Sequence, residues 1–207
     1  SPDGKSIAFL MADALNEQEE KDKKEKRDMV IADVYRNAHL YTVSVSKNGK
    51  NEHVLKRLTS GSFHVTEIAW SADSKVIAFT HQTNASLDLW TTSDISAIPA
   101  DSGAVKALVA ESGADLDPAY SPDGQWLAYK SDGGVVKWAA RADVYVMPAG
   151  GGSAKKLAAT PDQSSVIEAW SADSKNVMIS EPFKTTAMIY SLPMDGKPPK
   201  RLTPMDG

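Results

Sequence analysis

Apolar and polar residues alternate along the chain in short runs that end at turn-forming residues. The alternation is clear in Leu40-Tyr41-Thr42-Val43, Val144-Tyr145-Val146-Met147 and Ile189-Tyr190-Ser191-Leu192. Because the apolar residues recur at a period of two rather than 3.6, the pattern predicts short β-strands and excludes a repeat built of helices.

Four segments of the chain repeat one another without gaps. They read SPDGKSIAFL from Ser1, SADSKVIAFT from Ser71, SPDGQWLAYK from Ser121 and SADSKNVMIS from Ser171, with starts 70, 50 and 50 residues apart. An aromatic residue precedes three of them, at Trp70, Tyr120 and Trp170. The first repeat has no such lead-in, and we therefore expect the chain to be a piece of a longer protein.

Each repeat predicts a strand, a tight turn and another strand. Proline presets φ at the second turn position, aspartate bonds its own backbone and glycine takes a positive φ. Ser74 and Ser174 stand where the other two turns have glycine. We expect those two turns to be strained or differently shaped.

A second recurring signature lies between these turns and predicts hairpins. Its four copies are His39-Leu40-Tyr41-Thr42-Val43, Asp88-Leu89-Trp90, Asp143-Val144-Tyr145-Val146-Met147 and Met188-Ile189-Tyr190-Ser191-Leu192. A glycine-bearing turn and a basic segment follow each copy, the latter at Lys56-Arg57-Leu58, Lys106-Ala107-Leu108, Lys155-Lys156-Leu157 and Lys200-Arg201-Leu202. Such runs bounded by turns are typical of antiparallel hairpins.

Four strands in each period of about 50 residues are the build of a propeller blade. The predicted fold class is all-β: a β-propeller of about four blades of four antiparallel strands. We expect residues 1–207 to form a single partial propeller domain, with blade repeats starting near 1, 71, 121 and 171. A sandwich would not repeat a four-strand unit so closely.

The longer first spacing reflects a charged insertion at about 12–31. Glu17 and Lys21, like Glu19 and Lys23, form i, i+4 pairs that favour a short helix. The segment has no apolar stripe, so we expect an exposed helix or a mobile loop with nothing to bury. A solvated excursion is favoured over a binding element, although propellers project functional loops from such positions.

The composition of the chain limits the classes of partner that it is expected to bind. The net charge is -4, from 23 basic and 27 acidic residues, and no basic surface for nucleic acid is evident. No stretch has the length of a membrane span, and the absence of cysteine excludes disulfides and thiolate metal sites. The compartment stays open between bacterial periplasm and cytoplasm.

Candidate catalytic and metal-binding motifs are scarce, and we expect no catalytic residue, metal or cofactor in this chain. The pentapeptide Gly-x-Ser-x-Gly does not occur. The recurrent Ser-x-Asp triplets are interpreted as turn caps, and the four histidines lack ligand spacing. Gly150-Gly151-Gly152 occupies a hairpin turn and is not followed by a P-loop lysine.

The repeat resembles the one shared by TolB-like propellers and the prolyl-oligopeptidase clan, over 69–79, 119–129 and, more loosely, 169–179. The intervening segments 25–28, 88–95 and 136–140 look like bacterial S9 serine peptidases of the dipeptidyl-aminopeptidase and acylaminoacyl-peptidase types. This resemblance implies a propeller of seven or eight blades that covers a C-terminal α/β-hydrolase domain carrying the Ser-Asp-His triad. The propeller would gate and orient peptide substrates.

No triad residue can be assigned, because the hydrolase domain is absent from this chain. Glu19-Glu20 are paired, but their lysine-rich surroundings do not match the Glu pair with which dipeptidyl peptidases bind the substrate amine, and they are not given that role. Trp138 could stack on a ligand at the rim. The substrate-contact candidates are Arg27, Asp28, Arg36, Trp138 and Arg141.

Two alternatives stay open. A TolB-like propeller would bind a protein partner and catalyse nothing; a chain that continues past Gly207 into Gly-x-Ser-x-Gly would favour the peptidase. Four blades of a larger ring also leave two blade faces open, so we expect the isolated chain to self-associate.

Overall fold

The computed structural model describes residues 1–25, 36–134, 142–162 and 165–204. One α-helix, α1 (Glu17–Lys24), lies between the first two strands. The strands are β1 (Ser6–Ala12), β2 (Ala38–Lys47), β3 (His53–Arg57), β4 (His64–Trp70), β5 (Val76–Gln82), β6 (Asp94–Pro99), β7 (Lys106–Val109), β8 (Asp115–Tyr120), β9 (Trp126–Ser131), β10 (Asp143–Pro148), β11 (Lys155–Lys156), β12 (Val166–Trp170), β13 (Asn176–Phe183), β14 (Thr186–Pro193) and β15 (Lys200–Arg201).

The strands form four separate antiparallel sheets in chain order, which confirms the predicted propeller architecture. Blade 1 is β1-β2-β3, blade 2 is β4-β5-β6-β7, blade 3 is β8-β9-β10-β11 and blade 4 is β12-β13-β14-β15. Among the described residues, blade 1 has three strands rather than the predicted four. In blades 2–4 the first strand precedes the Ser-x-Asp turn, and Ser1 is the first residue of that turn in blade 1.

The second signature was assigned wrongly in blade 2. Asp88-Leu89-Trp90 lies in a 3₁₀ helix, Leu87–Thr92, and the strand is β6, a few residues further on. Burial explains the correction, because Leu87 is 88% exposed whereas Ile95 and Ile98 are buried in the blade. The similarity of Asp88-Leu89-Trp90 to the strand signature is limited to these residues and does not correspond to a strand.

The Ser-x-Asp triplets are turn caps, as predicted. Ser71 Oγ donates to Asp73 Oδ1 at 2.7 Å, Lys75 N–H donates to the same oxygen, and Val76 N–H donates to Ser71 Oγ. The hydroxyl hydrogen bond holds the pKa of Asp73 below its ordinary value. The same three bonds recur in the turns that begin at Ser1, Ser121 and Ser171.

Serine and glycine alternate at the fourth turn position without changing its shape. Gly4 and Gly124 both have φ 71°, and Ser74 and Ser174 have φ 62° and 59°. The left-handed conformation costs a non-glycine residue about 1–2 kcal/mol. Ser74 Oγ offsets part of that cost by accepting a hydrogen bond from Asp3 N–H of blade 1, at 3.0 Å.

The core consists of apolar layers between successive blades. Leu40 of blade 1 packs with Ile77, Phe79 and Ile98 of blade 2. Two further layers of this kind join blade 2 to blade 3 and blade 3 to blade 4. Blade-on-blade burial therefore supplies most of the hydrophobic stabilisation.

The insertion forms a helix, one of its two predicted outcomes. Asn16 caps α1 by accepting from Glu19 N–H at 2.9 Å, while the Glu19 carboxylate accepts from Asn16 N–H at 2.8 Å. No residue of α1 is buried, as expected from its missing apolar stripe. Residues 26–31 of the predicted insertion lie outside the described residues.

Candidate functional site

The first strands of blades 2, 3 and 4 lie side by side and are the axial strands of the propeller. Each is interrupted by a bulge, between Val65 and Glu67 in β4 and between Leu116 and Ala119 in β8. Bulges redirect side chains and are common beside functional sites. The two bulges bring acidic residues of neighbouring blades, Glu67 and Asp117, into contact.

Glu67 is the centre of this contact. Its Oε2 accepts from Thr80 Oγ1 at 2.6 Å and from the Asp117 backbone N–H at 2.8 Å. Asp117 has φ 54°, an unusual value for a non-glycine residue inside a strand. One Glu67 oxygen thus joins the axial strands of blades 2 and 3.

A lysine balances part of the negative charge. Lys130 Nζ lies 2.8 Å from Asp117 Oδ2, and both side chains are mostly buried. Burial raises the pKa of Glu67; the hydrogen bonds from Thr80 and the Asp117 N–H oppose that rise, and the Asp117 carboxyl adds to it. We call Glu67, Asp117 and Lys130 the axial cluster.

The acidic character continues on the axial strand of blade 4. Glu168 of β12 is exposed and accepts from Ser180 Oγ at 2.6 Å. The axial strands therefore offer carboxylate acceptors, and Lys130 of the adjacent strand β9 adds one ammonium donor. Such groups bind amide N–H, carbonyl and cationic groups of a ligand.

A second polar cluster lies where blade 1 meets blade 2, around Phe63. The ring of Phe63 contacts His39 and His81, at centroid distances of 5.6 and 5.2 Å. Burial lowers the pKa of His39, His64 and His81 below the ordinary histidine value. His81 Nε2 lies 2.9 Å from Ser96 Oγ, and His64 Nδ1 accepts from Ala38 N–H. These contacts give the histidines a structural role.

A third polar group surrounds Asp115, which is 1% exposed. Asp115 Oδ2 accepts from Glu111 N–H at 3.2 Å, and burial raises the pKa of the Asp115 carboxyl. Burial and the nearby acids raise the pKa of Tyr129 as well. The tyrosine therefore remains a neutral hydroxyl.

Open grooves follow the turn edge of the molecule at the three blade junctions. Their volumes are about 850 Å³ between blades 1 and 2, 470 Å³ between blades 2 and 3 and 580 Å³ between blades 3 and 4. Equivalent turn residues line each groove. Because the groove recurs at every junction, it reflects blade spacing rather than a dedicated ligand site.

Only one sequence-predicted contact residue falls within the described chain. Arg36 is exposed and lies just before β2. Arg27, Asp28, Trp138 and Arg141 lie outside the described residues, so their role as substrate contacts stays a prediction. The axial cluster was missed, although Glu67 and Asp117 each stand three residues before the repeat aromatic, at Trp70 and Tyr120.

Two further observations concern what this part of the chain could bind. Within the described ranges, no group of three histidine, aspartate or glutamate side chains is arranged to hold a metal ion. Among the same residues, no helix has the length and apolarity that crossing a membrane requires.

No protein-family model matches the chain. Among solved structures it is similar to TolB from Acinetobacter baumannii, with 19% identity and a TM-score of 0.60, over 98% of this chain and 42% of TolB. The propeller domain of the trilobed protease from Pyrococcus furiosus matches with 15% identity and a TM-score of 0.53, over 97% of this chain and 54% of that domain.

A puromycin-hydrolysing peptidase from Mycobacterium tuberculosis matches with 17% identity and a TM-score of 0.55, over 80% of this chain and 28% of the peptidase. The chain thus spans about half or less of each of these structures. At such identities the likeness shows the fold, a β-propeller, and the architecture of consecutive blades.

Proposed function

We propose that the chain is a non-catalytic propeller segment of an S9-type serine peptidase, which gates and orients peptide substrates for an α/β-hydrolase domain elsewhere in a longer protein. The sequence resemblance supports this proposal over the whole chain. The likeness of the chain's fold to a protease propeller domain and to a puromycin-hydrolysing peptidase supports the proposal as well.

The observation that carries the proposal is the axial cluster. Propeller blades surround a central channel, and the first strand of each blade lines it. Glu67 and Asp117 therefore stand on the strands that a peptide entering the channel would pass, and Lys130 of β9 lies beside Asp117. Their acceptors suit peptide N–H and cationic groups, and the lysine suits a carbonyl or carboxylate.

The catalytic chemistry is assigned to the other domain. A serine peptidase needs a nucleophile activated by a base and an oxyanion hole, which form an acyl-enzyme. The proposed role of this chain is to position the peptide and to limit which peptides reach that serine. Positioning of this kind contributes to rate through orientation.

Labelling with a fluorophosphonate probe, which reacts with activated serines, tests the proposal. The 207-residue chain and the longer protein from its source cells are treated side by side. Labelling of the longer protein alone is the expected result. Labelling of the 207-residue chain itself would contradict the non-catalytic role.

A protein-binding propeller is the second candidate. The likeness to TolB favours it, because that likeness extends over 98% of this chain. Such a protein would present its rim or channel to a protein partner without hydrolysis. Absence of labelling in both the chain and the longer protein would select this candidate over the peptidase.

A further inference from the structure

The charged insertion is held at its base by contacts on both sides. We use the word stem for Asp13, which follows β1, and for residues 36–38, which lead into β2. Asp13 N–H donates to Asn37 O at 2.9 Å, so the two sides of the stem are joined to each other. Helix α1 begins shortly after Asp13, at Glu17. The stem therefore determines how α1 is attached to the blades.

A histidine of blade 2 holds one side of the stem. Ala38 N–H donates to His64 Nδ1 at 2.8 Å. His64 is the first residue of β4, the axial strand that also carries Glu67. A ring nitrogen of histidine accepts a hydrogen bond only while it carries no proton. This link between blade 1 and blade 2 therefore requires a neutral His64.

An ion pair holds the other side of the stem. Asp13 Oδ1 accepts from Arg57 Nη2 at 2.9 Å, and Asp13 Oδ2 lies 3.5 Å from His39 Nε2. Thr59 Oγ1 accepts from Leu40 N–H at 2.8 Å, so its own hydrogen can be donated to His39 Nδ1, which is 3.3 Å away. Neutral His39 then carries its hydrogen on Nε2, the nitrogen that faces Asp13.

The side chains around His64 do not favour its protonation. In the described part of the chain, the charged and titratable groups on its own strand and on the neighbouring elements are Glu67 (β4), His39 (β2), Arg57 (β3), His81 (β5), Asp94 (β6), and Asp13 and Arg36 of the stem. Of these groups, the one that changes the pKa of His64 is His39, and it lowers that pKa, as burial does. Asp13 is already bound to Arg57. A proton on His64 would therefore lie beside a second histidine without a carboxylate partner of its own.

We propose that the stem is an acid-sensitive attachment: protonation of His64 breaks its contact with Ala38 and releases residues 36–38 from the axial strand β4. The proton enters on Nδ1, which then faces the Ala38 N–H as a second donor. Movement of Asn37 with Ala38 also takes the acceptor from Asp13 N–H. The release depends only on groups of this chain, whatever the activity of the full protein.

Hydrogen exchange of the backbone amides of the full protein, resolved to single residues and corrected for the intrinsic rate, tests the proposal. Between pH 7.5 and 5.5, protection of the Ala38 and Asp13 amides should fall by up to about ten-fold, because a released histidine regains its ordinary pKa of 6.5 and takes up a proton. Equal protection of Ala38 at both pH values in the wild type would overturn the proposal.

Two replacements of His64 identify the group that titrates. His64→Asn offers an amide oxygen as acceptor and does not titrate, so the Ala38 amide should be as protected at pH 5.5 as at pH 7.5. His64→Leu has no acceptor, so Ala38 should exchange rapidly at both pH values. Protection of Ala38 at neutral pH that survives in His64→Leu would show that His64 does not hold the stem.

His53→Asn is the matched control for these variants. His53 Nδ1 lies 2.9 Å from Ser44 O, so this nitrogen donates to a carbonyl and its contact does not require an unprotonated Nδ1. The variant should lose protection at Ala38 in acid as the wild type does. Loss of the acid response in His53→Asn would overturn the assignment to His64.

Asp13→Asn separates the two sides of the stem. Weakening of the pair with Arg57 should speed exchange of the residue 13 amide at both pH values. The acid response of Ala38 should remain, because its contact with His64 is unchanged. Disappearance of that response in Asp13→Asn would place the titrating group at Asp13 and would overturn the proposal.

Discussion

Among single residues, Glu67 joins two blades through one carboxylate oxygen. That oxygen accepts from Thr80 in its own blade and from the Asp117 N–H in the next. A buried donor that loses its acceptor lowers the free energy of unfolding by the full cost of its desolvation. The residue is therefore both a ligand candidate and a structural link.

Two replacements of Glu67 measure how much its hydrogen bonds contribute to the free energy of unfolding. Glu67→Ala leaves the Thr80 hydroxyl and the Asp117 N–H without an acceptor and should lower the free energy of unfolding by about 1–3 kcal/mol. Glu67→Gln keeps an acceptor oxygen and should cost less. Urea denaturation measures both, and equal losses would contradict the hydrogen-bond account.

The pH dependence of Glu67 has a definite sign. Its pKa is raised above the ordinary value of 4.5 in the folded protein, so the folded state binds more protons than the unfolded state in the window above 4.5. Its contribution to stability is full below pH 4.5 and is lost as pH rises through the folded pKa. Glu67→Gln should remove this loss, whereas Glu168→Gln, at an exposed position on the axial strand of blade 4, should retain it.

The three histidines around Phe63 act in the opposite direction. The pKa values of His39, His64 and His81 are lowered from 6.5, so the unfolded state binds more protons as pH falls through 6.5. Their contribution should be complete above pH 6.5 and decline toward acid. In thermal unfolding between pH 7.5 and 5, His81→Gln should show a smaller decline than wild type.

The exposed His53 provides the control for that measurement. Its ring lies on the surface with Nδ1 2.9 Å from Ser44 O. His53→Gln should leave the acid-dependent decline as in wild type. An identical change in both variants would contradict the assignment of the decline to the cluster around Phe63.

Some side-chain contacts can be predicted from the sequence, and others cannot. The Ser-x-Asp caps were predictable, because a local turn needs only neighbours in the chain. The contact between Glu67 and Asp117 was not, because it depends on two bulges and on the lateral placement of two blades. Alignment of the repeats could have identified Glu67 and Asp117 as equivalent positions, because both stand three residues before the repeat aromatic.

At the scale of elements, the strands of blades 3 and 4 followed the predicted pattern, whereas β6 did not. Asp88-Leu89-Trp90 resembled the strand signature in letters, but only the segment from Ile95 to Ile98 could be buried between two blades. Tertiary burial, which one sequence does not display, decided between them.

Helix α1 gives a prediction at this scale. Because no residue of α1 is buried, its stability depends on local terms such as the Asn16 cap. Asn16→Ala should destabilise the helix by about 0.5–2 kcal/mol and speed amide exchange in 17–24. The global urea midpoint should stay unchanged, and a marked fall would show that α1 packs on the blades.

At the scale of the whole molecule, the four blades form a stack whose junctions share one design. Each junction has an apolar layer and a lysine-to-carbonyl contact, which is made by Lys56, Lys106 or Lys155. The repeat in the sequence predicted the blades. It could not predict which residues bridge them, because that requires the distance between sheets.

Under the proposed function, peptides are recognised at the axial strands and hydrolysed in another domain. Steady-state kinetics of the longer protein with Glu67→Gln tests this directly, with Glu52→Gln in an exposed hairpin as the control. We expect KM for peptides to rise about ten-fold, since a hydrogen bond to a charged group contributes about 1.5–3 kcal/mol. The rate of fluorophosphonate labelling should stay unchanged. An unchanged KM, or a labelling rate that falls with it, would contradict the account.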